Sequence, residues 1–357
     1  MEPVTHLLTG ACMARAGFNR KTALATVTMV LAAEAPDIDA VTDFGGRIFA
    51  HAHHRGITHS FAGTPLVAGL VVLLIYLWYR WRRRGRRTEE TAPRWGLLYA
   101  LACLAVLSHL LLDFTNNYGV RPFEPFSYRW YSWDIVFIVE PLMWIALIAG
   151  LVLPSLFAVI NQEIKSSRGK EPRGRWGAVL ALVAVVVIWG VRDYQHRHAI
   201  AAMQALTYQG EPALRVSAYP YWFNPYRWYG VVETKHSYIS MIVSSWTPEV
   251  DPDNRALVRY KPEDTPVTRA VKASYLGRVY LDWAQYPMME VEPLQAPASG
   301  YLVRIYDVRY AYPGMRRLPL GGWVLLDSDL KVVAENFGTP TIPLAGRERE
   351  QAAGSRQ

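Results

Sequence analysis

Apolar residues are gathered into long runs in the first half of this chain and into short alternating runs in the second. Four long runs, 61–79, 95–113, 135–160 and 176–191, approach or meet the roughly 20 residues that a helix needs to cross a bilayer core. Before them, 5–16 and 22–35 read as weaker, alanine-rich helices joined by a turn that holds Gly17, Arg20 and Lys21. Small residues let helices approach closely, so these two are expected to form a short paired or re-entrant hairpin. From Asp193 to about Ala345 the period changes to two, with aromatic-rich runs such as 301–310 and 322–326 separated by Pro, Gly and Asp turns. The expected architecture is an α-helical polytopic membrane domain over 1–192, a small, mainly antiparallel β extramembrane domain over 193–345, and a polar, disordered tail over 346–357.

Composition agrees with a part-membrane, part-soluble protein: 357 residues suffice for two folding units, and 51% of them are hydrophobic. The formal charge of +8 is suggestive of nucleic acid until its distribution is considered, because six arginines fall in the single run 80–87 between apolar spans. That location marks a membrane-flanking loop, and no nucleic-acid partner is expected. Lys and Arg are retained on the cytoplasmic side, which puts 80–87, the loop 162–175 and the Arg20/Lys21 turn inside. Alternation then collects 36–60, 114–133 and everything after Val191 on the outer face of an inner (plasma) membrane protein. The N-terminus, with Glu2 in place of a basic region, does not read as a cleavable signal. Cys12 and Cys103 both lie in apolar segments, so a metal would have to use nitrogen and oxygen donors.

Such donors recur in four places. Pro36 ends a helix and leaves Asp37 and Asp39 two apart on a non-helical segment, where an extended backbone would turn both the same way; alone, this is also the composition of a solvated turn. His51, His53, His54 and His59 fall within nine residues before a span, a density that packing does not account for, although Thr58 or Ser60 also suits a helix cap. His109 and Asp113 stand four apart on one helix face, a common way to present two ligands and equally a polar contact between helices. His6, in an apolar helix, gains weight only from the others. Orientation was assigned from basic loops alone, yet all four places fall on one face.

These residues resemble the YdjM-like inner-membrane metal-dependent hydrolases over roughly the first 190 positions. The likeness is carried by Thr5-His6, Pro36-Asp37-Ile38-Asp39, the run from His54 through Arg55 and His59 to Ser60, Ser108-His109 with Asp113, and the segment 133–141, where Glu140 stands in place of the more usual aspartate. The resemblance implies hydrolysis and leaves the substrate undefined. On this reading His6, Asp37, Asp39, His59, His109 and Asp113 supply one or two divalent ions, zinc or manganese by donor type. His54 is a proton shuttle or a supporting group behind the ligands, Arg55 an anion-holding fork or a headgroup anchor, and Glu140 a further site carboxylate inside an apolar run. Asp134 reads as the N-cap of the following span. Location at the membrane surface favours a lipid-like or phosphoester substrate. A structural metal site in a scaffold or receptor is the competing class. A transporter is weaker for want of an inverted repeat. The aromatic run 219–225 reads as core, or as a cover or partner surface.

Overall fold

The computed structural model describes residues 1–84, 92–164, 174–221, 224–247, 249–295, 299–313, 315 and 319–338. The tail 346–357, the end of the arginine run, most of the loop 162–175, Trp222 and Phe223 lie outside them. Helices α1 (Pro3–Arg15), α2 (Ala25–Glu34), α3 (Arg47–His53), α4 (Thr64–Arg82), α5 (Trp95–Phe114), α6 (Pro141–Ile164) and α7 (Arg175–Gln204) precede the strands β1 (Arg215–Pro220), β2 (Arg227–Glu233), β3 (Ser237–Ser244), β4 (Glu249–Val250) and β5 (Leu257–Tyr260). Then come α8 (Pro266–Ala273), α9 (Tyr275–Trp283), β6 (Pro287–Leu294), β7 (Gly300–Asp307), β8 (Gly322–Leu326) and β9 (Val332–Phe337). A helical N-terminal region followed by antiparallel sheets is the expected fold class.

Among the described residues α4, α5 and α7 are long and apolar enough to cross a membrane, and α6 is described as an apolar helix over Pro141–Leu156. Within the run 135–160 the helix begins at Pro141 and not at Ile135. Residues 135–140 are irregular and Pro141 opens the helix, where its missing N–H costs nothing. Glu140, not Asp134, takes the capping position: its carbonyl accepts from the Met143 N–H, whereas Asp134 sits upstream in a left-handed conformation at φ +61°. At the other end α7 outruns the apolar stretch 176–191 and continues through polar residues to Gln204.

Two compact units are present. The first comprises Met1–Phe44, His53–Thr234 and Ile239–Leu257. In it α1 packs on α2, α6 and α7, while α2 packs on α4 and α5. Small residues make this possible. A Cβ at Gly10 would meet the Met29 carbonyl oxygen at 2.8 Å and Ala33 Cβ at 2.9 Å, so only glycine lets α1 and α2 lie this close. The core between α2, α4 and α5 is correspondingly rich in alanine (Ala25, Ala32, Ala33, Ala68, Ala102, Ala105). Tyr219 is fully buried, as the core reading of its run expects.

The second unit comprises Gly45–Ala52, Lys235–Tyr238 and the described residues from Val258 onward. Its sheet runs β6-β7-β8-β9 as an antiparallel meander; the other sheet runs β1-β2-β3-β4 with β5 beside β3. His51 belongs here, edge-on to Trp283 at 4.8 Å and stacked on Phe337 at 4.5 Å between ring centroids. It is a packing residue of this unit.

Candidate metal centre

The end of α2 sets up the site. Pro36 stops the helix, and the chain continues as a 3₁₀ segment, Ala35–Gly45. This corrects the extended backbone expected from sequence. With about three residues per turn, positions two apart point about 120° away from each other. Asp37 and Asp39 accordingly reach opposite nitrogens of one ring: Asp37 Oδ1 lies 3.3 Å from His59 Nε2, and Asp39 Oδ2 lies 3.2 Å from His59 Nδ1. Burial works against both carboxylates as ions, but the hydrogen bond to His59 and, for Asp39, a further one to His54 outweigh it and hold both below the ordinary carboxylate range.

His109 enters from the last turn of α5, with Asp113 one turn on, its Oδ2 3.4 Å from His109 Nε2. The helical pair read from the sequence is thus in contact. His109 Nδ1 lies 2.6 Å from the Ala33 carbonyl oxygen, which can only accept, so Nδ1 carries the proton. The His109 Nε2 is then a free lone pair. His59 has an acceptor at each nitrogen, Asp39 Oδ2 at Nδ1 and Asp37 Oδ1 at Nε2, and Thr58 Oγ1 lies 3.0 Å from Nδ1. The two Nε2 atoms face each other at 3.1 Å. A His59 proton meets the His109 lone pair in the metal-free centre, and a cation between the two nitrogens would take both lone pairs.

The remaining distances fit such a cation. Asp113 Oδ2 is 3.5 Å from His59 Nε2, Asp37 Oδ1 is 3.6 Å from His109 Nε2, and the donor atoms of Asp37, His59, His109 and Asp113 all lie within 4.8 Å of one another. Metal–ligand bonds of about 2.0–2.1 Å imply tetrahedron edges of about 3.3 Å. Asp113 Oδ2 has no hydrogen bond, and neither ring nitrogen of the fully buried His6 has one. Buried polar atoms are ordinarily satisfied, so these too favour a ligand. This buried group of four can hold a metal ion.

Around the four stand their supports. His6 stacks flat on His109, 3.7 Å between centroids, with Nε2 3.5 Å from Asp113 Oδ1. Arg55 adopts a left-handed backbone (φ +55°), uncommon for a residue with a Cβ, and its N–H donates to Asp39 Oδ2 at 2.7 Å. Its guanidinium donates to Asp113 Oδ1 and the Gly119 carbonyl at 2.9 Å each and lies over the Tyr118 ring. The Met1 amino group also lies against Asp113 Oδ1, leaving Oδ2 turned toward the histidines. His54, 36% exposed, places Nδ1 3.2 Å from Asp39 Oδ1. Glu140 instead pairs with Arg192 at 2.7 Å, both buried.

Three contributors escaped the sequence reading. The Ala33 carbonyl leaves no side-chain signal. Asn116, which accepts from Arg55 Nη1 at 3.3 Å, sits in a polar Thr-Asn-Asn run that begins two residues after Asp113 and is a usable cue. Glu34, three residues before Asp37, has a buried Oε1 without a hydrogen bond; burial and the neighbouring Asp37 charge raise its carboxyl to about 7.

Fold and site together define a helical membrane protein with a buried histidine–aspartate group that can hold a metal. The chain belongs to the YdjM inner membrane protein family, whose pattern matches residues 1–199, more than half of its length. It is also similar to the uncharacterized protein YfhP of Bacillus subtilis (strain 168), 25% identical over 127 residues. That match spans 36% of each chain, so the aligned part is about a third of YfhP. No solved structure matches.

Proposed function

We propose that this chain is a membrane-bound, metal-dependent hydrolase acting on a phosphoester or ester of an amphiphilic, lipid-like substrate at the outer membrane face. The observation that carries the reading is the pair of Nε2 atoms of His59 and His109 facing each other with two carboxylates alongside, all four donors within 4.8 Å of one another. Asp37, His59, His109 and Asp113 hold the ion. Two imidazoles with two carboxylates suit zinc, with manganese the alternative. A bound divalent ion supplies a water acidified to a pKa of about 7 and an electrophile for a phosphoryl or acyl oxygen.

Asp39 and the Ala33 carbonyl fix the tautomer and tilt of the two histidines, as partners behind metal-bound imidazoles do. Arg55 positions Asp113 and turns the Asp39 carboxylate. His6 is a further nitrogen donor for the same ion or a second one. His54, the most exposed of the histidines here, carries protons between the centre and solvent. Glu34, poised near neutrality, is the second proton carrier. Glu34→Gln is expected to lower kcat at least about tenfold while metal content stays at the wild-type level; unchanged turnover would remove Glu34 from the mechanism.

Outer-face placement rests on the basic loops. In intact cells, a cysteine introduced at Arg84 is expected to resist an impermeant thiol reagent, and one introduced at Glu249 to react. The reverse pattern would put the site inside.

Four protein donors also fill the tetrahedral shell of a structural zinc, which favours a second reading as a scaffold or receptor. Asp37 is the discriminating residue, 28% exposed where the other three are at most 1%. An exchangeable Asp37 opens the shell to substrate, whereas a fixed one closes it. Metal analysis of detergent-purified protein beside a panel of phosphodiester and ester lipids separates the readings: stoichiometric metal with turnover supports the hydrolase, and metal without turnover on any substrate supports the scaffold.

A further inference from the structure

A cavity of about 610 Å³ opens between the α1–α2 turn and the starts of α5 and α7, lined by residues 16–18 and by Arg20, Lys21, Arg94 and Arg175. It is remote from the metal centre. Arg94 precedes α5 and Asp113 lies near its end, so the 113 − 94 = 19 residues between them, at about 1.5 Å each, separate the two places by about 28 Å along a membrane-length helix.

Two hydrogen bonds tie the three segments together around the cavity. The Arg94 N–H donates to Thr22 Oγ1 at 2.8 Å, and Arg175 Nε donates to the Ala16 carbonyl at 3.0 Å. The four cations line one rim, and among the described residues no carboxylate pairs with any of them. The N-termini of α5 and α7, with their partial positive charge, start at the same rim. Four like charges held around one space repel each other, and an anion in that space relieves the repulsion. A volume of this size exceeds what a free phosphate fills and lies in the range of small-molecule sites.

We propose that this basic cavity binds the headgroup of an anionic phospholipid, its phosphate among Arg20, Lys21, Arg94 and Arg175 and its acyl chains along the exposed apolar faces of the neighbouring spans. The cavity lies at the end of two membrane-length helices, where anionic headgroups are concentrated and each basic contact contributes about 1 kcal/mol. The binding does not depend on the metal centre.

The test uses full-length protein in detergent, with thermal unfolding followed while dioleoyl phosphatidylglycerol, dioleoyl phosphatidylcholine or inorganic phosphate is titrated. Phosphatidylglycerol is expected to raise the unfolding temperature saturably and phosphatidylcholine to leave it unchanged. In the double variant Lys21→Gln/Arg94→Gln the apparent affinity for phosphatidylglycerol should fall about fivefold per cation removed. Arg82→Gln, which removes an exposed cation of α4 outside the cavity, should bind as wild type does. Arg20→Gln gives the same reading on a single substitution if the double variant does not purify. Equal responses to the two lipids, or equal losses in Arg82→Gln and the cavity variants, would overturn the proposal. So would inorganic phosphate reproducing the whole shift, which would identify a site for a soluble anion.

Discussion

Replacing His59 with alanine is expected to leave purified protein without stoichiometric divalent metal, where the wild type retains it through dialysis. His59 is the residue on which the arrangement converges: its Nε2 faces His109, Asp37 and Asp113, while its Nδ1 is held by Asp39. The substitution removes a donor outright. Asp39→Asn acts one step back, weakening the grip on His59 without removing a donor, and should cost about 10–100-fold in metal affinity. Asp113→Ala is a less clean probe, because it also strips the buried Arg55 guanidinium of its carboxylate, a loss of about 3–5 kcal/mol for a buried pair. The graded order, His59 before Asp39, is the informative result. Equal loss in the two variants would make Asp39 a donor in its own right. Wild-type protein that never carries a divalent metal would sink the metal reading and the hydrolase with it.

Much of this centre was legible because helical geometry and ionisable groups in apolar runs both leave marks in a sequence. His109 and Asp113 needed only the 3.6-residue period, and the cost of burying them flagged a role. The density of histidines at 51–59 was a true signal with a misleading member. His54 and His59 stand at the centre, but His51, eight residues before His59, packs in the second unit between Trp283 and Phe337. Sequence proximity cannot tell on which side of a chain crossing a residue falls. The Asp37/Asp39 pair was found, but its geometry was missed, since proline excludes a continued α-helix without choosing between extended and 3₁₀ backbone. Arg55 was noticed as a cation, yet its service to Asp113 and Asn116 depends on a left-handed turn that no pattern predicts for arginine. The spans at α4 and α5 followed hydropathy closely. The run 135–160 did not, because its apolar composition is shared by an irregular segment that packs Ile135 and Val136 fully inside the protein.

Glu140→Ala is expected to destabilise the protein by about 3–5 kcal/mol and to leave bound metal intact in whatever folds. Its carboxylate Oε2 accepts from Arg192 Nη2 at 2.7 Å, and the two side chains are 4% and 3% exposed. Arg192 also lies over the buried Trp228 ring, while its Nε and Nη1 have no hydrogen-bond partner. Removing the carboxylate therefore leaves a buried guanidinium with no compensating charge. A longer side chain than the family's usual aspartate is what such a pairing asks for, with α6 and α7 fixed by small residues: Gly150 and Gly177 bring these helices so close that a Cβ at either would meet the other's carbonyl oxygen at 2.6 Å. The double substitution Glu140→Leu/Arg192→Met removes both charges and should recover most of the lost thermal stability, because an apolar pair of similar volume avoids the desolvation cost. Metal content and turnover in the double variant then decide what Glu140 does. Wild-type metal and activity make it a structural partner of Arg192, whereas a stable double variant that has lost either one would return Glu140 to the working site.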